Sequence, residues 1–158
     1  MPRLTRVLTM TAACAIGATA LIATPAAAIA APAPGLQINE IESSGGVPGD
    51  WIEFTNTAST AVTLDGWVVK DNKDDSNYAF PAGTVVEPGA FLVVDEDQLG
   101  FGLGKEDSVR LFDPTAAIAD EYSWTAHAPV TYGVIADRAG WAETTESTKG
   151  AANVFTAP

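Results

Sequence analysis

The stretch of this sequence most suggestive of chemistry is Lys-Asp-Asn-Lys-Asp-Asp-Ser-Asn-Tyr, residues 70–78. Asp71, Asp74 and Asp75 would supply carboxylate oxygens, the ligand type that calcium prefers. The spacing is not that of an EF-hand, because Lys73 stands where a ligand is needed and no glycine follows at the sharp turn. Two interpretations stay open. One is a loose calcium site using the three aspartates, and the other is the solvated turn of a β-hairpin, where Asp, Asn and Ser bond their own backbone.

Catalysis has few candidate residues. His127 is the only histidine, and the partners of a serine triad or a zinc site are not recognisable around it. We expect it to help form the loop that follows Trp124. The acidic clusters at 95–97, 105–107 and 120–121 would give a hydrolase its carboxylate pair only with a cleft and a raised pKa on one member. We therefore predict no catalytic residue and no cofactor other than the possible calcium.

Two further features are typical of ligand sites but have simpler explanations. Trp67 and Trp124 end apolar runs and are expected in or beside the core, whereas Trp51 either packs under a loop or lies exposed. With Trp141, these side chains would make a sugar-stacking platform only if they shared one face. The glycine-rich segment 101–107 lacks the Lys-Ser/Thr ending of a phosphate loop and is predicted to be an extended connection.

The elements that must position these residues are strands. From Leu36 onward the apolar residues follow a period of two rather than the 3.6 of a helix. Ile52 and Phe54, for example, fall on one side of a predicted strand and Glu53 on the other. Turn signals such as Pro-Ala-Gly-Thr and Glu-Pro-Gly-Ala separate the runs. About eight short strands at this spacing predict an all-β fold, an antiparallel β-sandwich.

The N-terminal residues are typical of a secretory signal peptide. Two arginines precede an uncharged run over residues 7–23, and alanines at positions 28 and 30 suit cleavage after residue 30. We predict a signal peptide at 1–30, a short Ala/Pro linker at 31–35 and one domain at 36–155, which is secreted. Two alternatives stay open. The signal peptide is not cleaved and anchors the protein, or a lipid is attached to Cys14.

The charge balance limits the partners. The chain carries 20 acidic and 8 basic residues, a net charge of −12, and loss of the leader would remove two of the arginines. Such a surface repels phosphate backbones and favours cations and basic partners. We predict no nucleic-acid partner and no membrane insertion after cleavage. Cleavage would also remove Cys14, the only cysteine, and with it any disulfide or thiolate ligand.

Several short motifs recur in an order and spacing known from one family. They are Asp50-Trp51-Ile52-Glu53, Leu64-Asp65-Gly66-Trp67, Phe80-Pro81-Ala82-Gly83-Thr84 with Pro88-Gly89, and Tyr122-Ser123-Trp124. From about Leu36 to Asn153, nearly the whole of the chain after the predicted signal peptide, the sequence resembles bacterial lamin tail domains. The chain differs from the family pattern after Phe112, where Pro-Thr-Ala-Ala replaces a turn that usually contains glycine, and in the middle of the segment 132–141.

The resemblance implies an immunoglobulin-like β-sandwich and a non-catalytic module of secreted or surface proteins. The function that we expect is therefore a secreted binding or interaction module whose ligand is an unknown protein or polymer at the cell surface. Two alternatives stay open. One is a calcium-stabilised surface module, and the other is a small metal-dependent hydrolase.

Overall fold

The computed structural model describes residues 35–156. The predicted signal peptide at 1–30 and all but the last residue of the predicted linker at 31–35 lie outside this range. Within it, no helix has the length and apolarity needed to cross a membrane.

The described residues form eleven β-strands, of which eight have three residues or more, as the sequence predicts. The longer strands are β1 (Leu36–Glu42), β2 (Trp51–Asn56), β4 (Val68–Lys70), β7 (Phe91–Asp95), β8 (Asp107–Phe112), β9 (Ile118–Trp124), β10 (Tyr132–Val134) and β11 (Trp141–Glu143). The two-residue strands are β3 (Val62–Thr63), β5 (Tyr78–Ala79) and β6 (Val85–Val86). A four-residue helix, α1 (Glu96–Leu99), follows β7, and a 3₁₀ turn (Ala136–Arg138) separates β10 from β11.

The strands form two main antiparallel sheets that pack together. One has five strands in the order β11-β10-β1-β2-β7, and the other has four in the order β5-β4-β8-β9. Strands β3 and β6 make a separate short ribbon. The prediction of an antiparallel, immunoglobulin-like β-sandwich is confirmed.

The core lies between the sheets and follows the period-two pattern. Phe54 is fully buried and meets Phe80 edge to face, with ring centroids 5.4 Å apart. Burial of one such ring stabilises the fold by about 1.5–3 kcal/mol. The other side chains of the core with at most 1% exposure include Leu36, Ile38, Ile41, Ile52, Leu64, Val69, Val94, Val109 and Leu111.

The turn after β8 has no glycine at the point where the resemblance leads us to expect one. Asp113 closes the turn, because its carbonyl accepts the Ala116 N–H at 2.9 Å while its own N–H donates to the Ala117 carbonyl at 2.9 Å. Ala116 takes the left-handed conformation, φ 65°, which a residue with a Cβ adopts at a cost of about 1–2 kcal/mol. The different sequence thus keeps a tight turn but places strain at Ala116.

Candidate functional site

The aspartate-rich segment is the connection of a hairpin. Strands β4 and β5 pair antiparallel on either side of residues 71–77. Asp71 is buried (1% exposed). Its two carboxylate oxygens accept the Lys73 N–H at 2.6 Å and the Ser76 hydroxyl at 2.8 Å. Asp71 therefore closes its own turn, as the hairpin interpretation predicts.

Arg110 fixes this connection from the neighbouring strand β8. Its guanidinium donates to the carbonyl of Asp71 at 2.8 Å, to the carbonyl of Lys73 at 3.1 Å and to the carboxylate of Asp74 at 3.1 Å. The Asp74 side chain is 89% exposed, so this ion pair contributes little energy. Asp75 is exposed and makes no hydrogen bond within the described part of the chain.

The three aspartates proposed for calcium thus face different partners. Asp71 bonds its own turn, Asp74 pairs with Arg110, and Asp75 points to solvent. Across residues 35–156, no three His, Cys, Asp or Glu side chains lie close enough together to hold a metal ion. The calcium site stays a prediction, which a melting experiment can test.

His127 lies on an exposed loop after β9. Its Nδ1 is 3.1 Å from the hydroxyl of Ser43, a contact that the sequence did not indicate. Within the described range no carboxylate bonds to the ring, so the third group that orients a catalytic histidine is not in place there. Trp124 fixes the start of this loop, because its indole N–H donates to the Gly104 carbonyl at 2.9 Å.

Two buried acidic residues accept hydrogen bonds from the backbone of loops. Asp50 is buried, and its two oxygens accept the N–H of Gly45 at 2.9 Å and that of Leu103 at 2.6 Å. Asp107 accepts the N–H of Asn72 at 3.0 Å and that of Gly104 at 2.6 Å. Each carboxylate therefore joins segments that are distant in sequence.

Asp120 joins the two sheets. Its Oδ2 accepts the N–H of Ile38 in β1 at 3.0 Å and the guanidinium of Arg138 at 2.8 Å, while Arg138 also donates to the Ile38 carbonyl at 3.3 Å. The two side chains thereby bond the backbone of Ile38, which pairs with Phe54 of β2 but lies outside the part of β1 that pairs with β10. Burial raises the pKa of the Asp120 carboxyl, although the charge of Arg138 and the hydrogen bonds oppose this shift.

The most buried acids are Glu40 and Glu53, on the outer face of the five-stranded sheet; both are 0% exposed. Glu53 accepts the Asn39 side-chain amide at 2.8 Å and the Gly150 N–H. Glu40 accepts the hydroxyls of Thr131 and Thr148. Burial raises the pKa of Glu53 and the nearby charge of Glu40 adds to it, while the two hydrogen bonds lower it.

Sequence reasoning missed this pair. The strand alternation placed Glu53 on the outer face of β2, which favours solvation. The segment after β11 instead folds back over that face. The only sign in the sequence was the run Thr-Lys-Gly-Ala-Ala-Asn at 148–153, which combines hydrogen-bonding groups with small side chains.

Trp67 is partly buried against the core, as predicted, and the other three tryptophans occupy two separate regions. Trp51 lies on the outer face, 1% exposed, with the Lys149 ammonium 5.0 Å from its ring centre. It therefore packs under a loop, one of the two predicted alternatives. Trp141 stacks on Tyr122 with centroids 4.1 Å apart, and Trp124 stacks on the same tyrosine at 6.2 Å. These rings join β9 and β11, which are edge strands of the two sheets.

Comparison with known proteins agrees with this architecture. A family model described as Lamin Tail Domain matches residues 29–126, more than half of the chain. The sheet continues beyond the match, since β10 and β11 pair with it further along the chain. A search of curated proteins found no match. The chain belongs to the lamin tail domain family.

Proposed function

We propose that this protein is a non-catalytic binding module that acts outside the cell, where its loops or a sheet edge engage a protein or polymer of the cell surface. The observation that carries this proposal is the use of the buried carboxylates. Asp50, Asp71, Asp107 and Asp120 each accept at least two hydrogen bonds from loop or strand donors. Acids used in this way hold the backbone and are poorly placed to act as acid or base catalysts.

Rigid loops on a β-sandwich suit recognition. Asp50 ties the exposed loop at 43–50 to the segment at 101–106, and Asp107 ties the latter to the hairpin connection at 71–77. Loops that are ordered before binding lose less conformational entropy when a partner docks. Val47, at the tip of the first loop, is 92% exposed and is available for an apolar contact.

The location outside the cell is supported by the signal-peptide pattern in residues 1–30. The acidic composition supports solubility and disfavours nucleic acid as the ligand. Membership of the lamin tail domain family supports a module rather than an enzyme.

The proposal can be tested by capture from cell-envelope extract on immobilised protein that starts at residue 31. We expect a partner to be retained above the level of an unrelated acidic β-sandwich of matched net charge. Val47→Asp should reduce the retention if the 43–50 loop takes part, and Val85→Asp, at a half-exposed position on β6, serves as the matched control. Retention no greater than that of the unrelated sandwich would contradict the proposal.

A further inference from the structure

The segment from Thr144 to Val154, called the clasp here, leaves β11 and returns to its starting point. The Thr145 N–H donates to the Val154 carbonyl at 2.9 Å, which closes the two ends. Between these ends the chain crosses the outer face of the five-stranded sheet. Compact loops with adjoining ends are often functional.

The tip of the clasp is bound to the two buried glutamates. The Thr148 hydroxyl donates to Glu40 at 2.6 Å, and the Gly150 N–H donates to Glu53. Between them, Lys149 pairs with Asp95 at 2.6 Å and lies over the ring of Trp51. A hydroxyl, an ammonium group and a backbone N–H thus meet three carboxylates and an indole.

The clasp has little apolar attachment. Residues 145–153 are Thr, Glu, Ser, Thr, Lys, Gly, Ala, Ala and Asn, and most of them are exposed. The Asn153 amide adds hydrogen bonds to the carbonyls of Asn39 at 2.9 Å and Val134 at 3.0 Å. Opening of the clasp would lose these polar contacts, but it would let Glu40 and Glu53 regain water. Segments of this kind open at a lower free energy than the core.

We propose that the clasp is a displaceable cover and that the face beneath it, formed by Glu40, Trp51, Glu53 and Asp95, binds a lysine-bearing turn of a partner polypeptide in its place. The inference rests on the proposed function, because it names a partner and a surface for a binding module. The clasp shows the chemistry that the face accepts. The net charge of −12 draws basic segments toward it.

Glycine beside the lysine is part of that chemistry. Gly150 has φ 78°, a conformation that other residues rarely adopt. This turn lets the backbone N–H reach Glu53 while Lys149 reaches Asp95. A partner with lysine followed by glycine is therefore the closest match to the clasp.

Amide hydrogen exchange tests whether the clasp opens. The N–H groups of Thr148 and Gly150 should exchange at least about 100-fold faster than that of Ile52 in the core strand β2. Their rates should also be insensitive to low concentrations of denaturant, because local opening exposes little surface. If the Gly150 N–H exchanged at the same rate as the Ile52 N–H, the proposal would be overturned, because the clasp would then open only on global unfolding.

Binding of a peptide in trans tests the face. The probe is a fluorescent peptide with the sequence of residues 144–154, measured by anisotropy against the chain from residue 31. Lys149→Ala in the protein weakens the internal competitor, so we expect the peptide to bind about 10-fold tighter than to wild type. Lys149→Gln should do the same, and Lys73→Ala, on the hairpin connection, is the control that should not.

The peptide itself also has a control. Replacement of its lysine by alanine should weaken binding to the Lys149→Ala protein by about 5-fold or more. Equal binding by wild type and the Lys149 variants, or by the two peptides, would overturn the recognition face. In that case the proposed function through the loops would still be tested independently, by the capture experiment with Val47→Asp.

Discussion

Replacement of Asp120 by alanine removes the group that joins the two sheets. The N–H of fully buried Ile38 would lose its acceptor, which costs about 1–3 kcal/mol. Arg138 would lose its carboxylate partner, and loss of one member of a buried pair costs about 3–5 kcal/mol. The Arg138 side chain is 20% exposed and regains some water, so we expect a total loss near the lower end of the summed range, about 4 kcal/mol.

The assay is equilibrium unfolding in urea, followed by tryptophan fluorescence. Asp120→Ala should lower the midpoint without changing the dependence on urea, because the surface exposed on unfolding stays the same. Asp120→Asn keeps an oxygen for the Ile38 N–H. It also removes the negative charge that pairs with Arg138, so we expect Asp120→Asn to cost about 2 kcal/mol, less than Asp120→Ala.

Asp75→Ala is the matched control, because Asp75 is an exposed aspartate without a hydrogen bond in the described chain. It should change the free energy of unfolding by less than about 0.5 kcal/mol. If Asp120→Ala cost no more than this control, the idea that buried carboxylates hold the sandwich together would be wrong.

Three further predictions concern the candidate calcium site, Glu53 and Ala116. Calcium at about 1–10 mM should leave the melting midpoint equal to that in chelator, because Asp71 and Asp74 already have protein partners; a rise in the midpoint would instead support the calcium site. Burial raises the pKa of Glu53, so its stabilising contribution is complete at acid pH and is lost as the pH rises through the folded-state pKa. The free energy of unfolding of wild type minus that of Glu53→Gln should therefore fall with pH, by at most about 1.4 kcal/mol per pH unit, and a difference that rises with pH would refute this. Ala116→Gly should stabilise the protein by up to about 1 kcal/mol in thermal melting, because glycine accepts φ 65° without strain; a loss of stability would show that the turn is unstrained.

The features that were predictable from the sequence are local. The alternation of Ile52 and Phe54 against Glu53 identified a strand with one face in the core, and both apolar residues are fully buried. The composition of residues 70–78 gave a hairpin connection as one of two interpretations, because Asp and Ser bond nearby backbone in turns, and strands β4 and β5 do pair on either side of it. Such patterns involve residues within a few positions of each other.

The features that escaped prediction join distant segments. Glu53 is buried because the clasp covers it, and the Gly150 N–H that it accepts lies 97 positions along the chain. Val154 at the end of this segment is 38% exposed, and polar contacts such as that of Thr148 with Glu40 hold the residues before it. A period-two pattern says which face of a strand is apolar, but not what covers the other face.

The proposed function requires that the carboxylates of this lamin tail domain hold its backbone and do not catalyse a reaction. The most direct test is a turnover measurement on nuclease, phosphatase and glycosidase substrates in the presence of magnesium, manganese, zinc or calcium. We expect no turnover above that of buffer with metal. Turnover by the purified protein that disappears in a folded Asp50→Asn or Asp107→Asn variant would contradict it.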